Sequence, residues 1–389
     1  MMDFDFSEEE HAFRKKAGEY IAKIAKPGVA YKPTFNSGYA DTPDRKQFMK
    51  DLAKGGYLGL SWPEEYGGKG MDPVYDYLLT EELAYQGMPG SGKGVGIIGK
   101  TLLRRGSKEQ QERFLPQILN AEIDWAIGYS EPDAGSDLGS LKLKAVRDGD
   151  GWRLNGQKRF SSSAHFAEWY FLMARTHPDR PKHKGITLFM VEMDHPGIQV
   201  NPMWTIDGHR TNEVFLDDVW VPDSQVVGEP GQAFYYVAEA LDFERHVLFP
   251  LGPIQRLSEI FLEWLNTATI DGEPVRDRPE AKRLAGKIAR GLEVCRLQGL
   301  SVLAADDPKV ATIRSSMNKI AMSEFGRALA DEALEMMGPG AWLSDSDPDA
   351  PAGGLYARAQ IAVVIWIIGA GSNEIQRNII ARRGLGLPV

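Results

Sequence analysis

The chain has 389 residues, 43% of them apolar, and a formal net charge of −9. That is long enough for two or three domains with substantial cores. The acidic balance argues against broad binding to nucleic acid or an anionic membrane, which needs a basic surface, but leaves room for a local basic pocket around a phosphorylated ligand. The single cysteine, Cys295, excludes an intramolecular disulfide and reads as a small core residue; the 7 histidines show neither HxxxH nor HxH spacing, so no metal centre is expected.

The N-terminus "MMDFDFSEEEHAFRKKAGEY" is acidic, with no apolar h-region and no Arg-rich leader. No window approaches ~18 uninterrupted apolar residues; "IAVVIWIIGAG" (361–371) is the nearest. No membrane insertion and a cytoplasmic location are the expectations. From residue 7 to about 120 the periodicity is helical. "SEEEHAFRKKAGEYIAKIA" opens with Ser7 as N-cap and Glu10 at the capping-box position, and "SKEQQERFLPQIL" repeats the pattern from Ser107.

Within this half, "GVGIIGKT" (Gly94 to Thr101) matches the P-loop pattern GxxxxGK[ST], and "LFMVE" (188–192) passes for an acidic strand, so a P-loop NTPase is a second class to weigh. The context opposes it. A helix and a loop precede the motif where a buried strand is required, and no alternating βαβ pattern surrounds it. The plain alternative is a glycine-rich turn feeding a helix over 98–106.

From about 123 to 228 the period switches to two: "LKLKAVRD" alternates, "DGDG" and Asn155-Gly156 read as hairpin turns, and "EWYFLMAR", "GITLFMVEM" and "NEVFLDDVWVP" are β-rich. Helical runs then return over 232–266, 278–304, 310–337 and 355 to the end. The expected fold class is α+β: an N-terminal helical domain (1–122), a central antiparallel β-domain (123–228) and a C-terminal four-helix bundle (229–389).

Two stretches carry chemistry. "IGYSEPDAGSDLGS" (127–140) combines the Ser130 hydroxyl, Pro132 and the small pair Gly135-Ser136, where backbone amides can approach a polar or anionic ligand; a tight turn is the bland alternative. "NGQKRFSSSAHF" sets Phe160 beside three serines after a hairpin, an aromatic face next to hydroxyl donors. In the helical tail, "ALDFERHVLFPLG" (240–252) puts Leu241, Glu244, Val247, Leu248 and Leu251 on one helical face, so Glu244 is the one carboxylate on an apolar stripe. Such a Glu is either paired with an Arg or a base with a desolvated, raised pKa.

In this order the motifs resemble the acyl-CoA dehydrogenase family over essentially the whole chain. "YSEPDAGSD" is similar to its T/S-E-P-x-A-G-S-D signature and "NGQKRFSS" to N-G-x-K-x-W-I-T. "NEVFLDDVWVP" resembles the strand closing its β-domain, and "EMMGPGA" and "GSNEIQRNIIARRGLGLP" its two C-terminal signatures. The resemblance implies the α, β, α-bundle fold, FAD, an acyl-CoA substrate, an electron-transfer flavoprotein as oxidant, and a homotetramer or dimer with shared flavin contacts. An oxygen-reactive flavin would instead make the enzyme an acyl-CoA oxidase.

By matching position, the resemblance assigns Tyr129 and Ser130 to the flavin ring, and Gly135 and Ser136 to the neighbourhood of the cofactor, with Ser136 also near acyl-CoA. Phe160 takes the place of a Trp against the isoalloxazine, and Ser162 that of a Thr near N5. Glu335 (usually Gln) and Gly338 fall in the loop reaching a neighbour's FAD. Ser372 and Glu374 stand where Thr and Gln meet its adenosine and pyrophosphate, and Gly371 lies beside the thioester.

The chain also departs from the pattern. The R-x-x-F-G stretch is replaced by "RDRPEAKRLAGK", leaving Arg276 and Arg278 as candidate contacts to FAD and raising the alternative of a flavin-site-incomplete subunit in a heteromeric enzyme. Ala370 occupies the position of the medium-chain type's catalytic Glu. Isovaleryl and long-chain members hold the base on the first long helix of the bundle, in a stretch resembling "LDFER". There the base falls on Glu244, with Asp242 and Arg245 near the substrate.

Overall fold

A computed structural model describes residues 5–31, 39–238, 240 and 249–388. Its contacts form two compact units, one from the described parts of 1–38, 73–90 and 245–389, the other from 39–72 and 91–244. The described helices before the first strand are α1 (Glu8–Ile24), α2 (Pro43–Lys54), α3 (Pro73–Tyr85), α4 (Gly99–Arg105) and α5 (Lys108–Leu119). Both expected capping boxes are formed: Ser7 Oγ accepts from Glu10 N–H while Ser7 N–H donates to the Glu10 carboxylate, and Ser107 and Gln110 do the same.

In the second unit, strands β1 (Trp125–Gly128), β2 (Lys144–Asp148), β3 (Gly151–Lys158), β4 (Trp169–Arg175), β5 (Ile186–Glu192), β6 (Ile198–Trp204), β7 (Arg210–Pro222) and β8 (Val226–Val227) form one sheet in the order β6-β7-β3-β2-β4-β5-β8, with β1 on β4. Alternation in "LKLKA" is observed as such, Leu141, Leu143 and Ala145 being buried between exposed lysines.

Two expectations for this region change, and one strand, β6, was not among the β-rich runs read from the sequence. The sheet is antiparallel except at β1–β4 and the single β2–β4 pairing, which are parallel. Only "DGDG" makes a hairpin turn; Asn155-Gly156 lies inside β3 at a bulge, with Gly156 at φ 144° and the Asn155 side chain accepting from Asp218 N–H. β6 escapes the alternation rule because it is a half-exposed edge strand containing Pro202.

The other unit packs α1 and α3 with α6 (Gly252–Thr267), α7 (Pro279–Leu303), α8 (Pro308–Met337), α9 (Leu355–Ala362), α10 (Val364–Ile368) and α11 (Asn373–Ile379). α6 buries Ile254, Leu257, Phe261 and Leu265, one face at helical spacing. The single helix expected over 232–266 is broken: Phe249 to Leu251 form a bend around Pro250, and α6 restarts with Pro253 in its first turn. The helix expected from 355 onward is broken too, at Gly369–Ser372, where Ala370 and Gly371 have φ of 51° and 84°.

Along α8 the buried face changes character. Its second half buries Leu329, Ala330, Ala333, Leu334 and Met337, while its first half buries Ser315, Ser316, Lys319 and Ser323. Cys295 is buried in α7, and burial pushes its thiol up to about 12, as befits a core residue.

Candidate active site

In the second unit, β1 delivers Tyr129 and Ser130 to the end of β3. Arg159 N–H donates to Ser130 O at 2.9 Å, and the Lys158 ammonium donates to Tyr129 O at 3.2 Å. Beneath them lies an ion pair that the sequence reading did not single out: Lys158 Nζ is 2.8 Å from Glu131 Oε1, both side chains buried. Glu131 also accepts from the backbone N–H groups of Lys142 (2.5 Å) and Leu143 (3.0 Å). Burial lowers Lys158 to about 8, with Glu131 opposing the shift. The N-G-x-K letters carried the signal; burial of that lysine is a tertiary fact.

Phe160 follows at φ 60°, 59% exposed, outside the sheet core, with the Arg159 guanidinium 5.2 Å over its ring. Ser161 turns inward: its hydroxyl is 2.6 Å from the Tyr170 hydroxyl, its N–H donates to Asn212 O, and its carbonyl accepts from Asn212 Nδ2. Ser162 is half-buried beside them. Gly135 and Ser136 are exposed, and nothing lies within 4 Å of a side chain placed on Gly135. A planar aromatic cofactor finds here an open aromatic face flanked by hydroxyl and backbone groups. The residues fit a flavin.

In the other unit, Ser372 caps α11 by accepting from Ile375 N–H, and Glu374 is exposed in its first turn, where its own backbone N–H and Ser372 hold its carboxyl below the usual range. Gln376, fully buried, donates to Ala370 O (3.2 Å) and Gly371 O (2.9 Å); a side chain on Gly371 would meet that amide at 2.6 Å. Lys319, also fully buried, donates to Ile367 O (3.0 Å) and to Asn373 Oδ1 (2.7 Å), so α8 grips both flanks of the Ala370 turn. Phe249 packs edge-on against Trp366 and lies 5.6 Å from Lys319 Nζ.

Glu335 lines a cleft of about 440 Å³ with Arg278, Arg283, Lys287, Glu280 and Glu332. Of the two candidate arginines, Arg278 lines this cleft, whereas Arg276 reaches toward Asn266 O. Gly338 ends α8 at φ 76° with open space where a side chain would stand. Glu244, Asp242 and Arg245 lie outside the described residues.

The nucleotide-hydrolase alternative fails on geometry. Gly94–Ile98 is a π-helical turn running into α4, with no strand before it among the described residues. A side chain on Gly94 would meet Ile118 and Trp125, and one on Gly99 would strike Trp62, so these glycines serve close packing. The Thr101 hydroxyl is buried and bonded to Ile97 O. The glycine-rich turn expected to feed α4 is itself helical.

The fold and the flavin-fitting site define an FAD-dependent oxidoreductase of the helical, β-sheet, helical type. Family models agree segment by segment: acyl-CoA dehydrogenase N-terminal domain over residues 7–122, middle domain over 126–219 and C-terminal domain over 231–385. The chain belongs to the acyl-CoA dehydrogenase family, flavoproteins of lipid β-oxidation that act on CH–CH bonds and carry FAD. It is 35% identical to the acyl-CoA dehydrogenase IpdE1 of Mycobacterium tuberculosis over 353 residues, 89% of this chain and 88% of that one. The structure titled Tcur3481-Tcur3483 steroid ACAD superposes with a TM-score of 0.91 at 30% identity, covering 100% of both chains. The ChsE4-ChsE5 complex from Mycobacterium tuberculosis gives 0.90 at 28% identity, again covering 100% of both.

Proposed function

We propose that this chain introduces an α,β double bond into a bulky, polycyclic acyl-CoA thioester, giving the trans-2-enoyl-CoA, with Glu244 removing the α-proton. The observation that carries the assignment is the packing of Phe249 against Trp366 and near Lys319. It brings the chain just after "LDFER" close to Lys319, which holds the turn where Ala370 stands in place of the medium-chain type's carboxylate. A polycyclic substrate is supported by the likeness to a protein titled a steroid ACAD.

Bound FAD supplies the hydride acceptor for the β-hydrogen. The other tasks fall to the chain. The Ala370 N–H, in the turn fixed by Gln376 and Lys319, polarises the thioester oxygen. Gly371 lies beside the thioester, and Asp242 and Arg245 orient the substrate. Tyr129, Ser130, Phe160 and Ser162 would hold the flavin ring, Ser130 at its pyrimidine edge and Phe160 against its face, while Gly135 and Ser136 would leave the cofactor and acyl-CoA room to approach. Ser372 and Glu374 meet the adenosine and pyrophosphate portion. Glu335 and Gly338 reach the FAD of a neighbouring subunit, with Arg278 replacing the absent R-x-x-F-G arginine.

An electron-transfer flavoprotein is the proposed oxidant. A cytoplasmic location belongs to the same proposal. The apolar segment Pro351–Gly384 does not run as one unbroken helix, being interrupted at Gly369–Ser372.

A heteromeric enzyme is the second reading. The Glu335 cleft mixes three carboxylates with its three cations, and Lys287 is already paired with Glu332 at 2.9 Å. That is a poor cradle for a pyrophosphate, and two neighbours bear two-protein titles. The test is to purify the chain, record its visible spectrum, and titrate it anaerobically with straight-chain, branched and steroid-derived acyl-CoAs. Flavin bleaching by the steroid-derived thioester supports the first reading. Yellow protein obtained only on co-expression with a second acyl-CoA dehydrogenase chain supports the heteromer, and a colourless protein that takes up no FAD in either form overturns both.

A further inference from the structure

Immediately before the stretch that mimics a P-loop stands a lysine that neither nucleotide chemistry nor the family signatures employ. Lys93, just before the π-helical turn, is half-buried and reaches across 69 residues of sequence. Its ammonium donates to the Ser162 carbonyl at 2.7 Å and to the Ser163 hydroxyl at 3.1 Å, and it stands 4.6 Å from the centre of the Tyr39 ring.

The turn it grips is under backbone strain. Phe160 has φ 60° and Ser163 has φ 73°, a region that side chains with a Cβ rarely occupy. The inner residue between them is secured by the sheet, through the Ser161 bonds to Tyr170 and Asn212. The outer peptide, between Ser162 and Ser163, is the one whose reversal would return Ser163 to the ordinary negative φ region. Reversal would turn the Ser162 carbonyl away from the Lys93 ammonium and forfeit a charge-assisted hydrogen bond.

We propose that Lys93 is a positioning residue that locks the Phe160–Ser163 turn in its strained conformation, and thereby fixes the edge of the flavin site where Ser162 stands. The link to the flavin rests on the proposed placement of Ser162; the link to the turn does not.

The test separates the two. In the full-length protein without added FAD, hydrogen exchange of the peptide covering 159–167 is compared between the parent, Lys93→Met and Lys93→Arg. The Met variant keeps the aliphatic stem and loses the donors, and its exchange there is expected to rise at least tenfold while β4 and β5 peptides are unchanged. The Arg variant is expected within threefold of the parent. In the FAD-loaded protein, Lys93→Met should release flavin at least tenfold faster and blunt the vibronic shoulder of the 450-nm band.

If Lys93→Met does not fold, Ser163→Ala takes its place, removing one of the two acceptors, with at least threefold faster exchange expected. Unchanged exchange in whichever variant folds overturns the proposal. Faster exchange with unchanged flavin release keeps the clamp and overturns its link to the cofactor. A parent that binds no FAD overturns the functional reading, while the exchange measurement still decides on Lys93.

Discussion

Lys158 and Glu131, whose charged atoms are 2.8 Å apart in a buried setting, bind one flavin-family signature to the other. Glu131 belongs to "YSEPDAGSD" and Lys158 to "NGQKRFSS", 27 residues apart. The same lysine holds the Tyr129 carbonyl, and the same carboxylate holds the backbone at Lys142 and Leu143. With three donors already directed at it, Glu131 is a structural carboxylate and a poor choice of base for substrate chemistry.

Removing one partner alone therefore strands a buried charge. Lys158→Met is expected to destabilise the protein by about 3 to 5 kcal/mol, and the Lys158→Met, Glu131→Gln double variant by clearly less, because the uncompensated carboxylate is gone. Urea denaturation of the parent, both single variants and the double variant measures the coupling. Strict additivity of the two single effects would show that the pair does not act as a unit.

Phe160 offers the opposite case, an aromatic ring with little to do in the protein's own core. At 59% exposure it contributes little to folding, whereas stacking on a flavin is worth roughly 0.5–1.5 kcal/mol beyond area burial. Phe160→Ala should raise the FAD dissociation constant by at least about 2- to 13-fold, the share of stacking alone, and leave the unfolding midpoint nearly unchanged. A lowered midpoint with unaltered flavin affinity would mark Phe160 as a packing residue instead.

Capping boxes, alternation in "LKLKA" and the long α7 and α8 were legible because each follows from a local rule. The breaks were not. Phe249–Leu251 and Gly369–Ser372 interrupt sequences whose apolar periodicity runs on, and each break is held by a side chain distant in sequence, Glu81 for the first and Lys319 for the second, where Gln376 of the following helix adds a local hold. Buried polar residues such as Lys158, Lys319 and Asn212 were invisible for a related reason, since a hydropathy pattern scores them as surface. The flavin signatures were readable as ordered text, but the lysines supporting them came to light only with the fold.

Glu81 makes one of these supports testable by pH. Buried on α3, it accepts from Leu251 N–H (2.9 Å) and Gly252 N–H (2.8 Å), closing the bend that begins α6. Burial raises it to about 7, although those two amides pull the other way. A glutamate in the unfolded chain titrates near ~4.3. Between these values the folded state binds the extra proton, so this group's contribution to stability is full below about pH 4.3 and is lost as pH rises through about 7. Glu81→Gln cannot lose a proton and should lack that slope. Measured by urea denaturation, the stability difference should move in favour of the variant by about 2 to 3 kcal/mol between pH 5 and pH 8. A difference independent of pH would show that Glu81 titrates normally.

The last prediction concerns the base. Glu244 is the one carboxylate on the stripe formed by Leu241, Val247, Leu248 and Leu251, the alternative family position is Ala370, and Phe249 anchors the following chain near the Ala370 turn. An apolar site closed by bound acyl-CoA should raise its pKa, bringing it closer to the weak acidity of a polarised thioester α-carbon and easing proton transfer. Glu244→Gln keeps the size and much of the hydrogen bonding while removing the basic oxygen. The variant should stay folded, yellow and able to bind acyl-CoA. It should lose substrate-driven flavin bleaching and α-proton exchange with solvent by at least the ~10²-fold expected of a lost acid–base group. Stopped-flow absorbance at 450 nm and deuterium incorporation at the α-carbon report the two losses separately. Bleaching within a few-fold of the parent would reduce Glu244 to a structural glutamate and move the search to Glu374 or to a carboxylate supplied by a partner subunit.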